Sequence, residues 1–273
     1  MTDEELDQIA LHIANSKKYR SMKIPLETII DLLQIELPKH PKKADAIKIV
    51  KAKLHNITAP YLDKLDYAEA AQELEQFFSN RDGKSIEDVC IQFLQAHHST
   101  DERIPYMKEF YAYISNKIGN SCSILDLACG LNPFVIPLVE FPSSISYFAY
   151  DIHAPRINLI NRFFSDLGIH GFAETRDILL RPPLQKATAA FLFKEAHRME
   201  KRRKGASRDL LKSLNVNHLF ISLPNHSLNG KYDLHERMLK LIKDSIQGLG
   251  SILEIVDFSS ETLFYIGLNN GKA

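Results

Sequence analysis

A chain of 273 residues with 45 % hydrophobic content can bury a sizeable core, as one large domain or two smaller ones. Its 34 Lys and Arg balance 34 Asp and Glu, which excludes a global basic signature, so any nucleic-acid contact must rest on local charge. Three cysteines (Cys90, Cys122, Cys129) without CxxC or metal-ligand spacing read as reduced thiols, and the polar N-terminus and lack of a long apolar run leave a cytoplasmic protein with no secretory signal, membrane segment or metal as the expectation.

Up to about residue 118 the sequence reads helical. Apolar residues recur at three and four spacing in Leu6, Ile9, Ala10 and Ile13, and again in Ile86, Val89, Cys90, Phe93 and Leu94. Pro25, Pro38, Pro41 and Pro60 punctuate this half into short helices. Residues 1–80 are expected to form an N-terminal helical domain, 81–120 a helical lead-in, and 121–273 a different core. From Ser123 the period changes: SILDL, ISYFAYD, GFAET, TAAFLFK, HLFISL, SILEIVDF and TLFYIGL read as seven strands, with helix patterns between the first six. Only Ser259-Ser260-Glu261 separates the last two, which predicts an antiparallel hairpin. Alternation followed by a hairpin predicts an α/β, Rossmann-like, mostly parallel sheet, the order expected of a class I methyltransferase.

In such a sheet, ligands sit outside the carboxyl ends of the strands, beside the first. ILDLACGLNPF, residues 124–134, puts a turn there. Gly130 would let the backbone approach a ligand with no Cβ in the way. Asp126 can organise the turn or accept a bond from an ammonium group. The second strand ends in Tyr150-Asp151, 25 residues after Asp126, an offset that suits an acceptor for both ribose hydroxyls. The third ends near Arg176-Asp177, where a carboxylate can accept from an adenine amino group. Three carboxylates at successive strand ends suit S-adenosylmethionine, whereas a pyrophosphate cofactor would want more glycine and less negative charge. Pro133 is tolerated at a helix start. The plain alternative is that strand-end aspartates only cap the helices that follow.

Four stretches together, HHSTDER (97–103), LDLACGLNPF (125–134), FKEAHRMEK (193–201) and SLPNHSLNGK (222–231), resemble the aminoglycoside-resistance 16S rRNA methyltransferases of the Arm/Rmt type. These act on guanine 1405, at N7, in the 30S subunit. The resemblance runs in order over about residues 90–268. It implies that Arg103 pairs with the donor's methionine carboxylate, that Asp126, Ala128 and Gly130 line the donor, that Asp151 with Ile152 holds the ribose, and that Asp177 with Ile178 holds the adenine. Lys194 would sit near donor and target base, and Ser227 would help position that base. Departures fall on the substrate side: His226 where the family often has a basic residue, Asn229 where it has a second glycine, and Tyr232-Asp233-Leu234-His235-Glu236 after Lys231. Methyl transfer to guanine N7 uses a free lone pair, so no general base is expected, only positioning and exclusion of water. The base would be turned out of its helix and stacked, with Tyr106, Tyr111 or Phe193 as candidates.

Local charge is present in two regions. Residues 17–53 hold ten Lys/Arg against four Asp/Glu, a net +6, and residues 194–212 hold eight against three, a net +5. Lys39, Lys42, Lys43, Lys201, Arg202, Arg203, Lys204 and Lys231 are the expected phosphate contacts to 16S rRNA in the assembled 30S subunit, by a chain acting as a monomer. A solvated helix face is the ordinary explanation of such runs. Two other readings remain: a methyltransferase of this fold with another target, and a 30S-binding protein that has lost catalysis.

Overall fold

The computed structural model of the chain describes residues 2–58, 65–79, 83–142, 144–225 and 235–269. Three helices, α1 (Asp3–Ala14), α2 (Leu26–Glu36) and α3 (Lys43–Thr58), open the chain. Thr2 and Glu5 cap α1 reciprocally, which satisfies donors that a helix start leaves unpaired. The apolar stripe read from the sequence, Leu6, Ala10 and Ile13, is buried and packs with Ile29, Leu32, Leu33, Val50 and Leu54 into a small core of its own. Four further helices, α4 (Tyr67–Phe78), α5 (Ile86–Gln95), α6 (His98–Asp101) and α7 (Met107–Ile118), precede the sheet. Ala70 and Leu74 of α4 join the apolar cluster on one face of that sheet, together with Val89 and Phe93 of α5 and Phe110 of α7.

The seven strands read from the sequence are all present: β1 (Ser121–Leu127), β2 (Ser144–Asp151), β3 (His170–Thr175), β4 (Lys186–Phe193), β5 (Asn215–Pro224), β6 (Gly250–Asp257) and β7 (Glu261–Leu268). They form one sheet in the order β3-β2-β1-β4-β5-β7-β6. All pairings are parallel except β5–β7 and β6–β7, so the expected hairpin closes the sheet. β1 is central and buried from Ile124 to Leu127, as its unbroken apolar run requires of a strand covered on both faces. Helices α8 (Ala154–Leu167), α9 (Ala196–Arg202), α10 (Ala206–Ser213) and α11 (His235–Ile246) cover it. Among the described residues, no helix is long and apolar enough to cross a membrane.

Two connections differ from the expected helix patterns. Asn132–Leu138, between β1 and β2, is a 3-10 segment that contains Pro137, and a proline inside a helix removes a donor and clashes with the preceding turn. Between β3 and β4 the chain makes turns, and Pro182-Pro183 denies it the consecutive N–H groups a helix needs.

The helical lobe is fastened to the sheet by polar contacts near the ends of β2 and β3. Thr28 of α2 donates to Asp177 at 2.8 Å. Arg202 of α9 reaches the same carboxylate oxygen at 2.6 Å and Asp31 of α2 at 2.9 Å. Arg181 bonds Glu27 at 2.8 Å, and the Ala154 N–H donates to the Met22 carbonyl at 3.1 Å. Arg202 therefore corrects the expectation that it faces phosphate: its side chain is only 8 % exposed and bridges two carboxylates inside the protein. The cause is helical spacing, since it lies three positions after buried Met199, on the same face of α9. Arg202→Ala would leave Asp177 buried without its cation. A loss of about 3–5 kcal/mol in unfolding free energy is expected, read from the urea midpoint, as for other broken buried pairs.

Candidate active site

The parallel register brings the carboxyl ends of β1, β2, β3 and β4 to one edge: Leu127 lies beside Tyr150, Asp151 beside Thr175, and Asp126 beside Phe191. A cleft of about 1150 Å³ opens there, between the helical lobe and the sheet. Its walls include Ala128, Asp151, Ile152, Asp177, Ile178 and Lys194 from the expected site, with Leu32 and Lys53 across from them. Arg103, Asp126 and Gly130 are not in the lining but stand behind it.

The turn after β1 is built by two left-handed residues, Ala128 and Gly130, each at φ 55°. A non-glycine residue there is strained by about 1–2 kcal/mol, so tertiary contacts must hold Ala128 in place. The Cys129 N–H donates to the Tyr150 carbonyl at 2.9 Å, and the Gly130 N–H to Asp151 Oδ2 at 3.0 Å. Gly130 was expected to admit a ligand. The space its missing side chain leaves is taken by His97 instead, whose Cε1 would lie 3.0 Å from an added Cβ. Burial, above all, lowers the His97 pKa to about 3, so this imidazole is neutral.

Asp126 is 1 % exposed and accepts from the Tyr147 hydroxyl at 2.6 Å and the Asn132 amide at 2.9 Å. Burial outweighs those two bonds and raises its pKa to about 6. Of its two possible roles, organising the turn is the one these contacts perform. Asp151 accepts from the His153 N–H at 2.9 Å and from Arg156 at 2.9 Å. Burial pushes its pKa up, but Arg156 and the backbone donors outweigh it and hold the carboxyl below its ordinary value. Asp177 takes Thr28 and Arg202 on Oδ2 and the Leu179 N–H on Oδ1 at 3.1 Å. Each carboxylate oxygen has two acceptor sites, so Oδ1 keeps capacity for a ligand.

Arg103 is 3 % exposed and makes a two-bond fork with Glu261, Nε to Oε1 at 2.8 Å and an Nη to Oε2 at 2.9 Å. Its other Nη donates to Asn132 at 3.3 Å, and its plane lies 4.6 Å and 4.7 Å from the ring centroids of Phe110 and Phe193. Glu261, at the start of β7, is the residue that sequence reading missed. Burial raises it, and the nearby Arg103 and Lys194 cations bring it below the ordinary value. Lys194, left-handed at φ 56°, donates to Glu102 at 2.6 Å and to Ser260 at 3.3 Å. The hairpin, the HHSTDER segment and the end of β4 are thus tied into one polar cluster.

The three aromatic candidates for stacking a base lie outside the cleft lining. Tyr111 is fully buried and donates to Asn132. Phe193 stacks on Phe191 at 5.0 Å and carries Arg103 against its ring, and Tyr106 stacks on Phe258 at 5.2 Å. Tyr111 and Phe193 are thus engaged by neighbours in the core, while Tyr106 is half-buried with one face on Phe258. Among the phosphate candidates, Lys42, Lys43, Lys201 and Lys204 are exposed, Lys39 is exposed beside Glu36, and Arg203 pairs with Asp209. Lys53 of the first basic region and Lys201 of the second both line the cleft, so the two regions meet at its mouth. Ser227, Lys231 and the departures at His226, Asn229 and Tyr232–Leu234 lie outside the described residues.

The lining has the chemistry that S-adenosylmethionine requires: acceptors at Asp151 and Asp177 for hydroxyls and an amino group, apolar Ile152 and Ile178 for a flat base, and a charged cluster at the other end. Comparison with known proteins agrees. In fold, the chain matches the solved 16S rRNA methyltransferase RmtF in complex with S-adenosyl-L-homocysteine, with a TM-score of 0.83 and 24 % identity over 98 % of this chain and 100 % of that one. Two relatives named 16S rRNA (guanine(1405)-N(7))-methyltransferase align with it. That of Frankia casuarinae is 26 % identical over 230 residues, 83 % of this chain and 80 % of the relative. That of Serratia marcescens is 29 % identical over 220 residues, 80 % of each. Residues 15–266 match the family described as Ribosomal RNA methyltransferase (FmrO), and the chain belongs to that family.

Proposed function

We propose that this chain transfers a methyl group from S-adenosylmethionine to N7 of guanine 1405 of 16S rRNA, within the assembled 30S subunit. The observation that carries the reading is the coincidence of an rRNA methyltransferase family match over residues 15–266 with a cleft whose polar wall is Asp151, Asp177 and Lys194. Bound S-adenosylmethionine supplies an electrophilic sulfonium methyl. The protein's own part is geometric. Asp151 accepts from ribose hydroxyls, Asp177 Oδ1 accepts from an adenine amino group, and Ile152 and Ile178 close on the base. Arg103, aligned by Glu261, keeps two N–H groups that neither Glu261 nor Asn132 takes, and these would meet the methionine carboxylate, a planar match that favours parallel bonds. Since guanine N7 carries a free lone pair, near-attack alignment and exclusion of water are sufficient tasks.

Exposed Lys39, Lys42 and Lys43 on the helical lobe and Lys201 and Lys204 on α9 flank the mouth and would bear on phosphates of a folded RNA surface. A cytoplasmic, monomeric enzyme that confers resistance to aminoglycosides contacting guanine 1405 is the corresponding biological reading.

Three outcomes are expected. Purified unmethylated 30S subunits with labelled donor should incorporate label, and borohydride/aniline cleavage with primer extension should place a break at guanine 1405. A break elsewhere would move the target, and no incorporation would sink the reading. Arg103→Lys keeps the charge but loses the fork, and should weaken S-adenosylhomocysteine binding by about tenfold or more in calorimetry, roughly 1.4 kcal/mol. The combined reversal Lys39→Glu, Lys42→Glu and Lys43→Glu should weaken 30S binding at least about tenfold at low salt and leave donor affinity unchanged.

A further inference from the structure

Glu195 directly follows Lys194 and stands at the N-cap of α9, where its carbonyl accepts from the Arg198 N–H at 2.8 Å and the Met199 N–H at 3.1 Å. Its side chain takes no part in that cap. Glu195 lines the cleft, its side chain is 14 % exposed, and Oε2 is buried with no hydrogen-bond partner among the described residues. The Arg198 Nε lies 4.0 Å away, beyond hydrogen-bond reach. His197, next in the lining but one, has a buried Nδ1 in the same condition. Burial raises the Glu195 carboxyl to about 8, more than Arg198 and Arg202 lower it. A buried polar group left without a partner calls for an explanation, and a group lining a ligand cleft has an obvious one.

Position narrows the ligand. The donor's acceptors stand at the ends of β2 and β3, and the cleft continues past β4 to Pro224 at the end of β5 and to Arg237, Met238 and Leu241 of α11. The acceptor base must therefore enter on the β4–β5 side, against Lys194 and Glu195. A guanine that turns N7 to the donor carries N1–H and its 2-amino group on the far edge. These are two parallel donors whose spacing matches the two oxygens of one carboxylate. Adenine has no N–H at N1 and no 2-amino group.

We propose that Glu195 reads the target base: its side chain turns to bring the buried Oε2 into the cleft, and the carboxylate accepts the N1–H and 2-amino hydrogens of guanine, so selecting guanine over adenine. This rests on the methyltransferase reading above. Burial favours the protonated carboxyl; on pairing with the base it releases that proton to solvent, and the two donors of the base supply what Arg198 at 4.0 Å does not. A protein site built to pair with such donors rejects a base that lacks them, because its own acceptors would then stay buried and unpaired.

The test compares wild type, Glu195→Gln and Glu195→Ala on two substrates, unmethylated 30S subunits and 30S subunits with adenine in place of the target guanine. S-adenosylhomocysteine binding is measured in parallel by calorimetry. Expected are S-adenosylhomocysteine affinities within about twofold of wild type, kcat/KM on guanine down by about thirtyfold or more, and a guanine-to-adenine preference that collapses by at least about tenfold in Glu195→Ala. Unchanged kcat/KM and preference would overturn the proposal. So would loss of S-adenosylhomocysteine binding along with activity, which would assign Glu195 to holding α9 in place. Failure of wild type to label 30S subunits at all would instead remove the methyltransferase reading on which the proposal stands.

Discussion

Arg103 and Glu261 are separated by 158 residues and meet in a fork that water hardly touches. Much of the cleft's charged end hangs on that contact. A guanidinium taken out of water is costly unless its hydrogens are met; here Glu261 and Asn132 accept from Nε and both Nη atoms, and Phe110 and Phe193 cover its plane. Burial disfavours the Arg103 cation, yet the Glu261 charge beside it more than compensates and keeps it protonated. The fork fixes the β6–β7 hairpin against the HHSTDER segment. Lys194 then joins the same cluster through Glu102 and Ser260, so the end of β4 is registered to both. An isolated exposed ion pair could not impose such order, because solvent would screen it.

The carboxylates at the ends of β1, β2 and β3 illustrate one residue type under three environments. Asp126 is enclosed by hydroxyl and amide donors and is pushed up to about 6 by burial. Asp151 faces a guanidinium and backbone N–H groups and is held low. Asp177 is shared with the helical lobe through Thr28 and Arg202. Their positions follow from the parallel sheet, which delivers each strand end to the same edge. Their duties follow from what the neighbouring loops bring.

Much of the sheet was legible because its information is local. A run such as SILDL is mostly apolar, with β-branched Ile124 and a single acid near its end, and ISYFAYD and GFAET also carry an acid near their ends. The hairpin was legible because three residues are too few for a crossover. The connections were less so: Pro137 and Pro182-Pro183 carry the signal that no regular α-helix forms there, and helical periodicity alone hid it. Glu261 was illegible for a different reason. Nothing near it in sequence announces a partner 158 residues away. Arg202 sat in KRRK, where composition argues for a solvated patch, but its spacing from Met199 puts it on the buried face. Gly130 was read as a place of close approach to a ligand, yet the neighbour that fills its space, His97, comes from the turn before α6 and could be found only in three dimensions.

The shared carboxylate of Asp177 bears on how such a chain can change by exchange of parts. Thr28 and Asp31 on α2, Asp177 after β3 and Arg202 on α9 form a set drawn from three distant stretches. A chimera that took its first 58 residues from a relative without a hydroxyl and an acid at the α2 positions would strand Arg202 at the end of β3, in the wall of the cleft. Transplanting a helical lobe onto this core is therefore a matter of moving four residues together, and the seam between the two halves lies in side chains as well as in the chain connection.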